Sequence, residues 1–292
     1  MTGDAAARVR TADAVELALF RTRPERAARD TALLLVHGTF SNRNFFSGTG
    51  ERGLAGMLAA RGYDAWVAEL RGHGRSGHLA RGRDWRFEDW IRYDAPALVR
   101  GVLEHSGAAR LVWIGHSAGG IIGLAHAGLG VPTSSRVSGI VVASAPAPVG
   151  LTPPQRALAA TGWLIARAVG RFPARFFGIG PEDEHVGVFG QWMQWNLRGE
   201  WHGTDGTDYF ASLARVVVPV LALAGGGDHL VAPPRACEQL LAACGSSDRT
   251  FRVCGRATGF SENFDHNRVL VSRGARAEVW PLIADWLEQR YP

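Results

Sequence analysis

The chain is expected to fold as an α/β protein, three layers deep, on a mostly parallel sheet. Three observations carry that expectation. Short apolar runs such as Ala32-Leu33-Leu34-Leu35-Val36 and Leu111-Val112-Trp113-Ile114 recur along the sequence, as strands buried on both faces require. Helical patterns lie between them, so strand and helix alternate and successive strands run the same way. The runs end in polar or glycine-rich turns, which gathers chemistry-bearing residues on one rim of the sheet. With 292 residues and 46% hydrophobic side chains, the chain can bury a sizeable core in one large domain.

In chain order, residues 14–20 alternate weakly and read as an edge strand. Residues 32–36 end in the loop His37-Gly38-Thr39-Phe40. A helix over 52–61 closes at Gly62, followed by a strand over 63–68 and the loop Arg71-Gly72-His73-Gly74-Arg75-Ser76-Gly77. Residues 87–106 read as a helix with a start or kink near Asp94 and Pro96, because proline removes a helical N–H. The run from Leu111 leads into a turn at Ser117 and then an apolar helix. Strands follow at 137–143, 216–224 and 250–254. A closing helix at 276–289 sets Trp280, Leu282, Ile283, Trp286 and Leu287 at helical spacing. The stretch 146–212 breaks the rhythm. Rich in Pro, Gly and aromatic residues, it reads as a helical cap inserted after the sixth core strand, with helices at 153–169 and 183–197. The core then comprises 1–145 and 213–292.

All 32 basic residues are arginine, and against 27 acidic residues they leave a net charge of +5. They are scattered as singles and pairs, often beside Asp or Glu, and no nucleic-acid motif accompanies them, so no nucleic-acid partner is expected. Cys237, Cys244 and Cys254 lack metal-ligand spacing and are expected as free thiols; no metal site is expected. The N-terminus shows no apolar leader, and no run of about 18 apolar residues occurs. The expectation is a cytoplasmic protein without stable membrane insertion.

The turn Gly115-His116-Ser117-Ala118-Gly119 carries the pattern Gly-x-Ser-x-Gly. In a chain with 37 glycines that pattern alone has little weight. Its setting has more, because an apolar strand runs into the turn and Ile121-Ile122-Gly123-Leu124-Ala125 runs out of it. Strand, sharp turn and helix make a nucleophile elbow, in which small neighbours such as Gly115, Gly119 and Gly120 leave the serine hydroxyl open.

An elbow serine needs a base and an acid, which follow it in the order acid, then histidine. Asp228 lies just past the 216–224 run, on the same rim as the elbow. The competing position, after 137–143, offers Ser144-Ala145-Pro146 and no carboxylate. Two histidines follow Asp228. His229 adjoins the acid and is badly placed to reach both partners, whereas His266 lies in the loop between the 250–254 strand and the closing helix. Its neighbour Asp265 reads as a solvated loop residue. The oxyanion hole needs backbone N–H groups; Ala118 and Thr39 are expected to supply them, with Phe40 as the alternative to Thr39. His37 is expected to shape that loop.

Taken together, His37-Gly38, Arg71-Gly72-His73-Gly74-Arg75-Ser76, Gly115 to Gly120, Pro219 to Asp228, and His266 make the sequence similar to the α/β-hydrolase fold superfamily, of the serine esterase/lipase, monoacylglycerol-lipase-like type. One departure is Phe264-Asp265-His266-Asn267, where members often show Gly-His and an aromatic residue. The resemblance implies a cofactor-free reaction: Ser117 attacks the carbonyl of an ester through an acyl-enzyme, His266 moves the proton and Asp228 orients His266. Acyl transfer to another acceptor, perhydrolysis, or hydrolysis of lactones or carbon–carbon bonds would use the same triad. A binding protein on this fold is a further alternative, one that ordinarily has a damaged triad.

The inserted stretch carries Trp163, Phe172, Phe176, Phe177, Phe189, Trp192, Trp195, Trp201 and Phe210. Most are expected to pack the insert onto the core. Residues 189, 192, 193 and 196 share a helix face, so Phe189, Trp192 and Met193, with Phe40, are expected to line a site for a small apolar ester.

Overall fold

The computed structural model describes residues 5–25, 29–49, 52–77, 84–148 and 151–292. The first four residues, part of the N-terminus read as leaderless, lie outside them. The strands are β1 (Ala7–Arg10), β2 (Glu16–Thr22), β3 (Thr31–Val36), β4 (Asp64–Ala68), β5 (Arg110–His116), β6 (Val137–Ala143), β7 (Arg171–Phe172), β8 (Glu184–His185), β9 (Val220–Gly225) and β10 (Arg249–Cys254). The helices are α1 (Asn44–Ser47), α2 (Leu54–Ala60), α3 (Phe87–Asp89), α4 (Ala95–Ser106), α5 (Ala118–Leu129), α6 (Pro153–Val169), α7 (Val186–Arg198), α8 (Tyr209–Ser212), α9 (Pro234–Ala242), α10 (Arg268–Val271) and α11 (Arg273–Arg290).

Eight strands form one sheet in the order β1-β2-β4-β3-β5-β6-β9-β10. β1 and β2 are antiparallel to their neighbours, and every pairing from β4 to β10 is parallel. Alternate residues of the central strands feed two cores. Leu34, Val36 and Trp113 point to the layer of α4, α5 and α9. Leu33, Leu35, Val112 and Ile114 point to the layer of α2 and α11. With both faces covered, the apolar runs lack the polar alternation of a half-exposed sheet. Each fully buried Leu or Val contributes about 1.5–3 kcal/mol.

Several boundaries differ from the sequence expectation for identifiable reasons. The strand placed at 14–20 spans Glu16–Thr22 and is not an edge, because β1 pairs outside it. β1 alternates buried Ala7 and Val9 with exposed Arg8 and Arg10 over four residues, too short a pattern to read alone. The strand expected from 216 begins at Val220, since Pro219 lacks an N–H and offers only its carbonyl, which accepts from Ile140. The helix over 87–106 is real but contains a π-helical turn, Trp90–Asp94, just ahead of Pro96. Between β6 and β9 the chain builds α6 and α7, packed on each other and bridged by the two-residue ribbon β7–β8. No described helix is long and apolar enough to cross a membrane.

Candidate active site

The rim formed by the C-terminal ends of β3, β5, β9 and β10 brings the predicted residues together. Ser117 follows β5 directly, with φ 51° and ψ −121°, a strained conformation for a non-glycine residue. Its N–H donates to the Ala143 carbonyl at 2.9 Å, and its own carbonyl accepts from Gly120 and Ile121. The Trp113 indole donates to the Gly119 carbonyl at 2.8 Å. The turn therefore hangs from the neighbouring strand and from the sheet beneath. Gly119 allows this approach, because a Cβ there would overlap the Val36 carbonyl oxygen. Gly38 is close as well: its Cβ would stand 2.8 Å from that of Ser117. The loop after β3 thus lies directly against the elbow.

His266 Nε2 accepts from the Ser117 hydroxyl at 3.0 Å, and its Nδ1 donates to Asp228 Oδ2 at 2.6 Å. Asp228 is buried, 3% exposed. Its second oxygen, Oδ1, accepts the Val231 and Ala232 N–H groups, each at 3.1 Å. Burial pushes this carboxyl up, but the His266 hydrogen bond and charge and the two N–H groups more than offset it. Its pKa lies below the ordinary value, so Asp228 is ionised at neutral pH.

The rejected alternatives sit elsewhere. His229 is exposed. Asp265 accepts the Asn267 and Arg268 N–H groups at the start of α10. Buried His37 donates Nδ1–H to the Gly38 carbonyl at 2.8 Å and accepts the Leu70 N–H on Nε2 at 3.3 Å. Burial, then the charge of His73, lowers its pKa to about 3, so it is a neutral brace for the loop. Arg71, in the loop after β4, is fully buried and paired with Asp94 at 2.7 Å and Asp13 at 2.6 Å. That loop is held by charge pairs rather than aimed at the serine. The three cysteines are buried and unbridged.

One contact was not foreseen from sequence. His116 Nε2 donates to the His266 backbone carbonyl at 2.8 Å, while its ring stacks on Phe45 with centroids 4.2 Å apart. Burial, then the nearby His266 charge, lowers its pKa to about 3. It therefore stays neutral beside His266. The inserted segment meets Phe40, as expected from the sequence, through part of the predicted group. Phe40 packs against Phe172 and Phe189, which stack at 4.2 Å, and Met193 joins them. Trp192 instead stacks on Phe87 and joins the main core. The expected quartet is thus split between two environments. A cavity of about 1000 Å³ lies between the insert and α9, with Leu151, Phe210, Leu230 and Val231 in its walls. It begins next to Asp228, but Ser117 and His266 do not line it.

The comparisons agree with this architecture. Human lipase member K is 34% identical over 104 residues, covering 33% of this chain and 26% of that protein. The chain thus spans about a quarter of the length of the curated relatives it matches. A soluble variant of monoglyceride lipase from Saccharomyces cerevisiae, solved with a substrate analogue, superposes with a TM-score of 0.72 at 16% identity, covering 100% of this chain and 97% of that one. An esterase from Thermogutta terrifontis gives 0.63 at 17% identity, with 98% and 99% covered. Likenesses at such low identity speak for the fold. A model of the alpha/beta hydrolase family matches residues 33–265, and the chain belongs to that family.

Proposed function

We propose that this protein is a serine hydrolase of carboxylic esters with apolar acyl groups. The observation that carries the reading is the unbroken chain Ser117 Oγ–His266 Nε2 and His266 Nδ1–Asp228 Oδ2 at 3.0 and 2.6 Å, set on a strained elbow. The relatives named as lipases and esterases support it.

His266 takes the Ser117 proton as Oγ attacks the ester carbonyl. Asp228 holds the imidazole in the tautomer whose Nε2 is free to accept, and stabilises the imidazolium. The Ala118 and Thr39 N–H groups receive the oxyanion; Ala118 is the first residue of α5, where helix N–H groups are unpaired and the dipole favours negative charge. His266 then gives its proton to the leaving alcohol, and water releases the acyl group by the same steps. The insert, residues 146–212, acts as a cap, with Phe40, Phe189 and Met193 facing the acyl chain and Trp192 securing the cap to the core.

The test is hydrolysis of p-nitrophenyl esters of increasing acyl length by wild type and by Ser117→Ala. Turnover that vanishes in the variant supports the reading. A wild type that cleaves none of the series, or a variant that retains most of the activity, rejects it.

A further inference from the structure

The insert does more than cover the rim; it grips the candidate oxyanion loop. Phe40 has φ 63°, which costs a non-glycine residue energy and persists only where surroundings enforce it. Those surroundings come from the segment between β7 and β8. The Glu182 N–H donates to the Phe40 carbonyl at 3.1 Å. Asn42 Nδ2 donates to Glu182 Oε1 at 2.7 Å. Gly180 lies so close that a Cβ there would overlap the Phe40 carbonyl oxygen and stand 2.8 Å from the Phe40 Cβ. The segment is itself anchored, since Glu184 Oε2 lies 3.3 Å from His73 Nε2, both side chains 1% exposed.

We infer that Gly180 and Glu182 are positioning residues for the oxyanion hole. By fixing the Phe40 carbonyl they set the backbone of Thr39 and Phe40, and so the direction of the N–H group that meets the oxyanion. The inference rests on the ester-hydrolase reading and adds a coupling to it. The Phe40 side chain lies in the same aromatic cluster as Phe172 and Phe189. Acyl-chain fit and oxyanion geometry therefore meet in one residue, and a better-fitting acyl group raises kcat as well as lowering KM.

Gly180→Ala is the direct perturbation. Its backbone needs no positive φ, so the added methyl acts through the Phe40 contact. Glu182→Ala and Glu182→Gln form the companion pair, because the glutamine retains an oxygen for Asn42 and the alanine does not. Wild type and Ser117→Ala run alongside on p-nitrophenyl butyrate, together with inhibition by an alkylboronic acid, whose adduct with the serine mimics the tetrahedral state. The expectation for Gly180→Ala is a fall in kcat of about 10–100-fold, part of the loss seen when an oxyanion donor is removed. KM should move little, and boronate affinity should fall in parallel with kcat/KM. Glu182→Ala should show a smaller loss of the same kind, rescued by Glu182→Gln. Unchanged kcat in both Gly180→Ala and Glu182→Ala overturns the inference. So does a rise in KM alone, or a loss of turnover without loss of boronate affinity. If Gly180→Ala does not fold, the Glu182 pair decides by the same criteria. A wild type without ester turnover would overturn the parent reading, and this one with it.

Discussion

Replacing Asp228 by asparagine separates a catalytic carboxylate from a structural one. The structure dictates how the amide must sit. Oδ1 of Asp228 accepts two backbone N–H groups, from Val231 and Ala232, each at 3.1 Å. An amide NH2 in that place would face two donors, so the asparagine keeps its oxygen there and turns its NH2 toward His266. His266 Nδ1 must then accept, its proton moves to Nε2, and the nitrogen facing Ser117 at 3.0 Å can no longer take the serine proton. In the serine-protease triad the equivalent change costs about 10⁴ in kcat, or about 5.4 kcal/mol of barrier at 1.36 kcal/mol per tenfold. The same order is expected here, with little change in KM because Asp228 lies behind the histidine. The assay is steady-state ester hydrolysis, with thermal unfolding recorded on the same sample. A variant that folds and keeps kcat within about tenfold of wild type would refute this account, since the wrong tautomer permits no such activity.

Other consequences follow from the buried groups. His37 and His116 have pKa values of about 3 in the folded protein, below the ordinary histidine value near 6.5. Their contribution to stability is present above 6.5 and is lost as pH falls toward 3, at up to about 1.4 kcal/mol per pH unit for each. Chemical denaturation between pH 7 and pH 4.5 should show this slope, and a flat profile would exclude it. His73 is raised: burial lowers it, but the Glu184 charge and the ring's donation to Glu184 and to the Arg71 carbonyl outweigh that. Its contribution is therefore present below 6.5 and is lost as pH rises through the folded value, so in a second denaturation series run upward from pH 6.5, His73→Gln should lose less stability than wild type. Asp94→Ala leaves the fully buried Arg71 with Asp13 as its remaining partner. It should cost about 3–5 kcal/mol, and calorimetry finding under about 1 kcal/mol would mean that the charge is solvated. Gly119→Ala drives a methyl into the Val36 carbonyl and should lower stability by about 1–3 kcal/mol or block folding; a normal melting temperature would show that the elbow yields more easily than its packing suggests.

What was legible in the sequence was local. The elbow can be read because its geometry is satisfied within a few residues: a strained serine needs small residues two positions either side, and Gly115 and Gly119 stand there. Asp228 and His266 can be read because parallel strands return every C-terminal end to one rim. β7 and β8 could not be read, since two residues hold no periodicity. The grip of Glu182 on Phe40 could not be read either, because it runs through a backbone N–H, which carries no side-chain signature. His116 lay in plain view within the motif, yet its bond goes to a carbonyl of a distant loop, and main-chain acceptors are the same at every residue.

The distribution of backbone strain ties these observations together. Among the described residues, the non-glycine positions with positive φ are Ala14, Phe40, Ser117 and Ser144. The last three lie just past β3, β5 and β6, three strands that neighbour one another in the sheet. Each is held from outside its own loop: Phe40 by Glu182, Ser117 by the Ala143 carbonyl, and Ser144 by the Leu223 carbonyl at 2.8 Å. A residue in such a conformation costs about 1–3 kcal/mol and survives only when its surroundings over-determine it. The two inner supports come from neighbouring strands of the rigid sheet. The support for Phe40 comes from the insert, whose helix α7 packs on α3 rather than on the sheet itself. The loop that carries Phe40 is therefore the strained element whose geometry depends on the insert's seating. Changes that loosen the insert should reach turnover through Phe40 before they disturb Ser117 or its histidine.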